Sequence, residues 1–104
     1  MKLLIITCLK EYQKEVARML GQAGITVFSV SQTMGFKENH DVNLLDSWFS
    51  NGQEHFDSIF FFSFTTETSA ENALKLIKAG NEATETDFPI RVFIVPVEKS
   101  NYSI

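Results

Sequence analysis

Residues 58–65 read "SIFFFSFT", and on this stretch the fold turns. Aromatic and β-branched residues over a strand's length suit a pleated, buried surface. Side chains alternate across a strand, so Phe60, Phe62 and Phe64 fall on one side and Ile59 and Phe61 on the other. Both faces of this strand are therefore apolar. One layer of helices covers one face. The other needs a separate cover, because an exposed apolar patch above roughly a few hundred Å² is unusual in a monomer. The expectation is that the second face meets another subunit.

Working upstream, "ITVFSVSQTMGF" (25–36) alternates over a long span, with Phe28, Val30, Gln32, Met34 and Phe36 on one side. It predicts a second strand, with Gly35 near its end marking a bulge or a close backbone approach. Before it, Tyr12, Val16, Met19, Leu20 and Ala23 recur at helical spacing within 11–23, and Gly24 is a natural stop. "LLII" (3–6) suits a central strand buried on both faces. Downstream, "TSAE" (68–71) reads as a capping box. It opens a helix with Ala70, Ala73, Leu74 and Ile77 inward, ending between Gly80 and Glu85. "ETDFP" (85–89) is a loop, "IRVFIVPV" (90–97) a last strand and "EKSNYSI" (98–104) a polar tail.

The order is β-α-β, an insertion over 37–57, then β-α-β. It predicts one α+β domain over 1–104: a ferredoxin-like βαββαβ fold with a four-stranded antiparallel sheet. Both helices lie on one face, and a long loop joins strands two and three.

Composition narrows the function. The net charge of −4 is concentrated, because Glu38, Asp41, Asp46, Glu54 and Asp57 oppose Lys37 alone within 35–57. Basic residues are scattered, which argues against a nucleic-acid surface. A single cysteine, Cys8, permits no internal disulfide and suits a reducing, cytoplasmic setting. "MKLLIITCLK" reads as a buried strand and not as a signal peptide, and no apolar run reaches the ~20 residues of a membrane span. No catalytic motif stands out, so the expectation is a protein that is not an enzyme.

The run from "MKLLIITCLK" through a helix to "GITVFSVSQTMGFK" (24–37) resembles the PII signal-transduction family. That family has a Gly-Ile/Val-x-x-x-Thr/Ser-Val pattern and a strand ending in Gly-Phe-Gly before a long exposed loop. Gly24, Ile25, Ser29, Val30, Ser31, Gly35 and Phe36 fall on the pattern. The resemblance implies a homotrimer with sheets facing inward and small ligands in clefts between subunits. It makes 37–57 a loop that contacts a protein target, such as a membrane transporter. Gly35, Phe36, Lys37 and Arg91 would belong to the ligand cleft. The chain also departs from the family. Lys37 replaces the last glycine of Gly-Phe-Gly, and the loop has no tyrosine to carry a nucleotidyl group. Where the family has a glycine-rich phosphate loop with Gly-Asp-Gly-Lys, this chain has "GNEATETDFP" (80–89), with three acids and no lysine. That segment repels a triphosphate, so ATP sensing is not carried over.

Three sets of residues invite chemistry. His40, Asp41 and His55, with Cys8 as a soft donor, form a candidate site for a divalent transition metal. The alternative is two solvated histidines in an acidic loop and a buried thiol. In "NLLDSWF" (43–49), Leu44 with Trp48 and Leu45 with Phe49 make a short helical face. It docks a partner through Trp48 or folds back onto the domain. Arg91 and Lys37, the basics expected near the cleft, suit an anion such as bicarbonate or a carboxylate, or else form ordinary surface ion pairs. The leading expectation is a trimeric regulator or sensor. A divalent-metal-binding tolerance protein and a dimeric ferredoxin-like enzyme are the alternatives.

Overall fold

The computed structural model describes residues 1–38 and 53–104. Among these the chain runs β1 (Lys2–Leu9), a 3-10 turn (Lys10–Tyr12), α1 (Gln13–Gln22), β2 (Ser29–Glu38), β3 (Gln53–Thr65), α2 (Glu67–Ala83) and β4 (Arg91–Pro96). The strands form one antiparallel sheet in the order β2-β3-β1-β4. This is the expected α+β, ferredoxin-like arrangement.

Alternation sorts the sheet into two faces. Leu4, Ile6 and Cys8 of β1 and Ile59 and Phe61 of β3 are buried under the helices. Val16, Met19 and Leu20 of α1 and Ala70, Ala73 and Ile77 of α2 complete that core. The small Ala70 and Ala73 let the α2 backbone approach closely, while Ile77 fills the space further along. Leu74, expected inward, is only half-buried.

α1 ends as its sequence predicts. Gly24 takes φ +86°, the left-handed conformation that glycine adopts without strain. The Ile25 amide then reaches back to the Leu20 carbonyl (2.9 Å), and the Gly24 amide to that of Gly21 (3.1 Å). This Schellman closure turns Ile25 into the core. It also explains why β2 begins at Ser29 and not at Ile25. Residues 25–28 are engaged elsewhere: the buried Ser63 hydroxyl donates to the Val27 carbonyl at 2.7 Å, and the Phe28 ring packs 5.7 Å from that of Phe61.

α2 starts two residues earlier than the capping box predicts. Thr66 is the cap, its hydroxyl accepting the Ser69 amide at 3.2 Å, and Thr68 lies inside the helix. Ala70, Ala73 and Ile77 face the sheet, as the stripe predicts. The Thr66 hydroxyl does the capping without the reciprocal glutamate.

The expected insertion at 37–57 is narrower in the structure. β2 and β3 pair from Ser29↔Phe62 out to Glu38↔Gln53, so strands claim both ends of it. β1 pairs only with the Ser58–Thr65 part of β3. Beyond that, 34–38 and 53–57 form a two-stranded ribbon projecting past the sheet.

Candidate ligand cleft

The ribbon leaves the sheet at one corner, and that corner collects the distinctive side chains. Gly35 faces Phe56 across the ladder. A Cβ at position 35 would overlap the Phe56 ring, so the glycine is there for the close approach of that ring. Phe56 in turn packs against Phe88, with ring centres 5.0 Å apart and tilted by 58°.

Phe88 comes from the connection between α2 and β4, which is tied down at both ends. The Asn81 side chain donates to the Ile90 carbonyl (2.8 Å) and accepts from the Ile90 amide (3.0 Å). It mimics a strand neighbour and clamps the loop onto the end of α2. The Thr86 hydroxyl accepts the Phe88 amide at 3.1 Å and shapes the turn that presents the ring.

Between these parts lies a cleft of about 190 Å³ lined by Thr7, Phe56, Ser58, Asp87, Phe88 and Arg91, with the Cys8 and Leu9 segment of β1 as its floor. Arg91 and Thr7 are direct cross-strand partners, so both stand on the open face of the sheet. Ser58 gives its hydroxyl proton to the Cys8 carbonyl at 3.2 Å. Around the corner a second hollow is lined by Lys10, Gln13, Lys14 and Asp57 together with the same two phenylalanines.

The expected residues divide accordingly. Gly35 and Phe36 lie in β2 at the ribbon base, with Phe36 exposed and opposite His55 in register. Lys37 lies one step further out, opposite Glu54. Arg91 lines the cleft itself. Cys8 is buried, and burial pushes its thiol up to about 11 from an ordinary 9.0, which works against the thiolate that a soft metal needs. In register, Cys8 faces Ile59, four residues along β3 from His55. That spacing is about 13 Å of strand. Among the described residues no three potential ligands cluster for a metal. His40, Asp41, Leu44, Leu45, Trp48 and Phe49 lie outside the described residues.

Sequence reasoning missed several contributors. Arg91 and Lys37 are not the only basics near this corner, because Lys10 and Lys14 flank it from the β1–α1 turn. The antiparallel topology carried that signal: the end of β1 must meet β3 where the ribbon leaves the sheet. Phe56, Phe88 and Asn81 carried none, since their roles arise from the meeting of segments distant in sequence.

Among the described residues no helix is long and apolar enough to cross a membrane. No family model and no curated protein matches the chain. Among solved structures it is similar to GlnK of B. subtilis, with a TM-score of 0.70 over 93% of this chain and 84% of that one, at 12% identity. At that identity the likeness is one of fold, and what this chain shares with GlnK, a PII protein, is the PII-like form of the ferredoxin-like fold.

Proposed function

We propose that this chain is a small PII-like regulatory protein and not an enzyme. It assembles as a homotrimer, binds a small ligand at clefts between subunits, and contacts a protein target through residues 37–57. A membrane transporter is the target that the PII resemblance favours. The reading rests above all on the Phe56–Phe88 contact. Phe56 belongs to the ribbon that leads into 39–52, and Phe88 to the clamped loop beside the cleft. A ligand entering the cleft therefore touches the base of the ribbon directly. Only such differential contact can shift one arrangement of the ribbon against another.

The test is a thermal-shift screen of chelator-treated protein against small carboxylates, amino acids, bicarbonate, nucleotides and divalent metals, followed by hydrogen exchange with each hit. The expected result is a ligand that raises the Tm, loses affinity in Phe56→Ala, and alters exchange at 34–38 and 53–57. Binding that leaves the ribbon amides unchanged refutes the regulatory reading. A shift with one transition metal alone, independent of Phe56, moves the function to His40, Asp41 and His55. Turnover of any of these compounds favours the enzyme reading.

A further inference from the structure

The 190 Å³ cleft is lined by polar donors and polar acceptors together. The donors are Arg91 and Thr7, neighbours across the β1–β4 ladder. Arginine is a fork of donors, and the Thr7 hydroxyl has no hydrogen bond among the described residues, so its proton is available to a ligand. The acceptors are Asp87 and Ser58. Ser58 has committed its proton to the Cys8 carbonyl, so its oxygen is left to a ligand as an acceptor. The Asp87 carboxylate has acceptor oxygens only. Asp87 and Arg91 do not neutralise each other, because the one ion pair among the described residues joins Arg18 and Glu15. The Phe56 and Phe88 rings, in contact with each other, supply the apolar part of the same lining.

We infer that the cleft binds a free α-amino acid with an apolar side chain. The inference rests on the regulatory reading and names its ligand class. A zwitterion puts a carboxylate and an ammonium on one carbon, which matches a donor pair and an acceptor pair facing one small space. The carboxylate meets the Arg91 fork and the Thr7 hydroxyl, in the paired geometry that arginine provides. The ammonium meets Asp87 and the Ser58 oxygen. The side chain lies against the two rings. Competing ligands fit less well. A nucleotide or polyphosphate meets Asp87 with like charge, and Asn81 already occupies both backbone groups of Ile90. A simple carboxylate leaves Asp87 facing it without a counter-charge. The volume is below the ~300–1,000 Å³ of sites for drug-sized molecules, which suits a ligand of amino-acid size.

The experiment uses calorimetry on the dialysed full chain with L-valine, L-leucine and L-methionine. Each is paired with its 2-oxo acid, which lacks the ammonium, and its amino alcohol, which lacks the carboxylate. At least one amino acid is expected to bind at millimolar concentration or below, with both analogues weaker. Arg91→Gln and Asp87→Asn, both at exposed positions, should each weaken it about tenfold or more. Asp87→Asn should leave the 2-oxo acid bound as well as before or better, a charge-specific signature that a merely structural role would not produce. Absence of amino-acid binding overturns the inference, as does binding indifferent to both substitutions. Binding of a 2-oxo acid, bicarbonate or nucleotide through Arg91, with no amino acid bound, overturns the zwitterion alone and leaves the regulatory cleft standing. An amino acid bound through Arg91 and Asp87 with no change in ribbon exchange supports the ligand assignment and overturns the regulatory reading alone.

Discussion

Cys8 is 6% exposed on the helix-covered face of β1, and its thiol is pushed from 9.0 to about 11 by burial. The folded state therefore holds the proton more tightly than the unfolded chain. From about pH 9 to pH 11 the unfolded chain loses this proton first, so stability falls as pH rises and is intact below that window. Urea midpoints measured between pH 8 and 11 should decline, and Cys8→Ala should flatten the part of the slope due to the thiol. The same burial should make Cys8 slow to alkylate at pH 8 while the protein is folded. The cap of α2 is a second test at this scale. Thr66→Ala should cost about 1 kcal/mol in denaturant unfolding, while Thr68→Ala, inside the helix, should change stability far less. From sequence alone the two threonines are hard to tell apart, since each precedes the helical stripe and Thr68 has the better-spaced glutamate. In the structure it is the Thr66 hydroxyl that accepts the Ser69 amide. Gly24 was legible because its role depends on local backbone geometry alone.

The joint between loop and ribbon is decided at the level of elements. Asn81 gives the 84–90 connection the two hydrogen bonds that a neighbouring strand would supply. Asn81→Ala leaves the Ile90 amide and carbonyl without that partner and should cost about 1–3 kcal/mol. Amide exchange in 84–90 should rise more than exchange in β1, and the Phe56–Phe88 contact should loosen with it. Equal acceleration everywhere would mean that the clamp serves global stability only. The strands themselves were readable because period-two alternation needs no partner to be seen. Their lengths were not. Whether 53–57 continues β3 depends on finding 34–38 beside it, and the charged and polar residues there conceal the pairing. The cleft was half legible for the same reason. Arg91, expected at a ligand cleft, lines this one, and Gly35 and Phe36 lie beside it in β2, whereas Phe56, Phe88, Asp87 and the Asn81 clamp emerge only once β3 and the α2–β4 loop meet.

For the molecule as a whole, the open face of the sheet carries the argument. Cross-strand registers place Phe64, Leu3 and Val95 in one row and Phe62, Ile5 and Phe93 in the next, with Phe60 beside Thr7 and Arg91 below them. Both helices lie on the other side, and Phe64 and Phe93 are about half exposed, at 50% and 52%. Neighbouring rings shield one another in part, as Phe60 and Phe62 do at 5.9 Å, but their outer surfaces face away from the core. Covering this face with further copies of the chain removes apolar surface from water at roughly 25 cal/mol per Å². The proposed trimer would do so and would bring the Arg91 corner of one subunit towards its neighbour. A carboxylate placed in such an interface loses its hydration with no partner for its charge, a cost far larger than that of the same change at an exposed position. Phe93→Glu should therefore convert the assembly to monomers in sedimentation velocity, with the far-ultraviolet circular dichroism of the folded chain retained. A trimeric mass for the unmodified protein, lost in Phe93→Glu, supports the PII-like assembly. A dimeric mass would favour the dimeric ferredoxin-like alternative. A trimer indifferent to Phe93→Glu would mean that subunits meet away from this face and would dissociate the cleft at Arg91 from the subunit boundary.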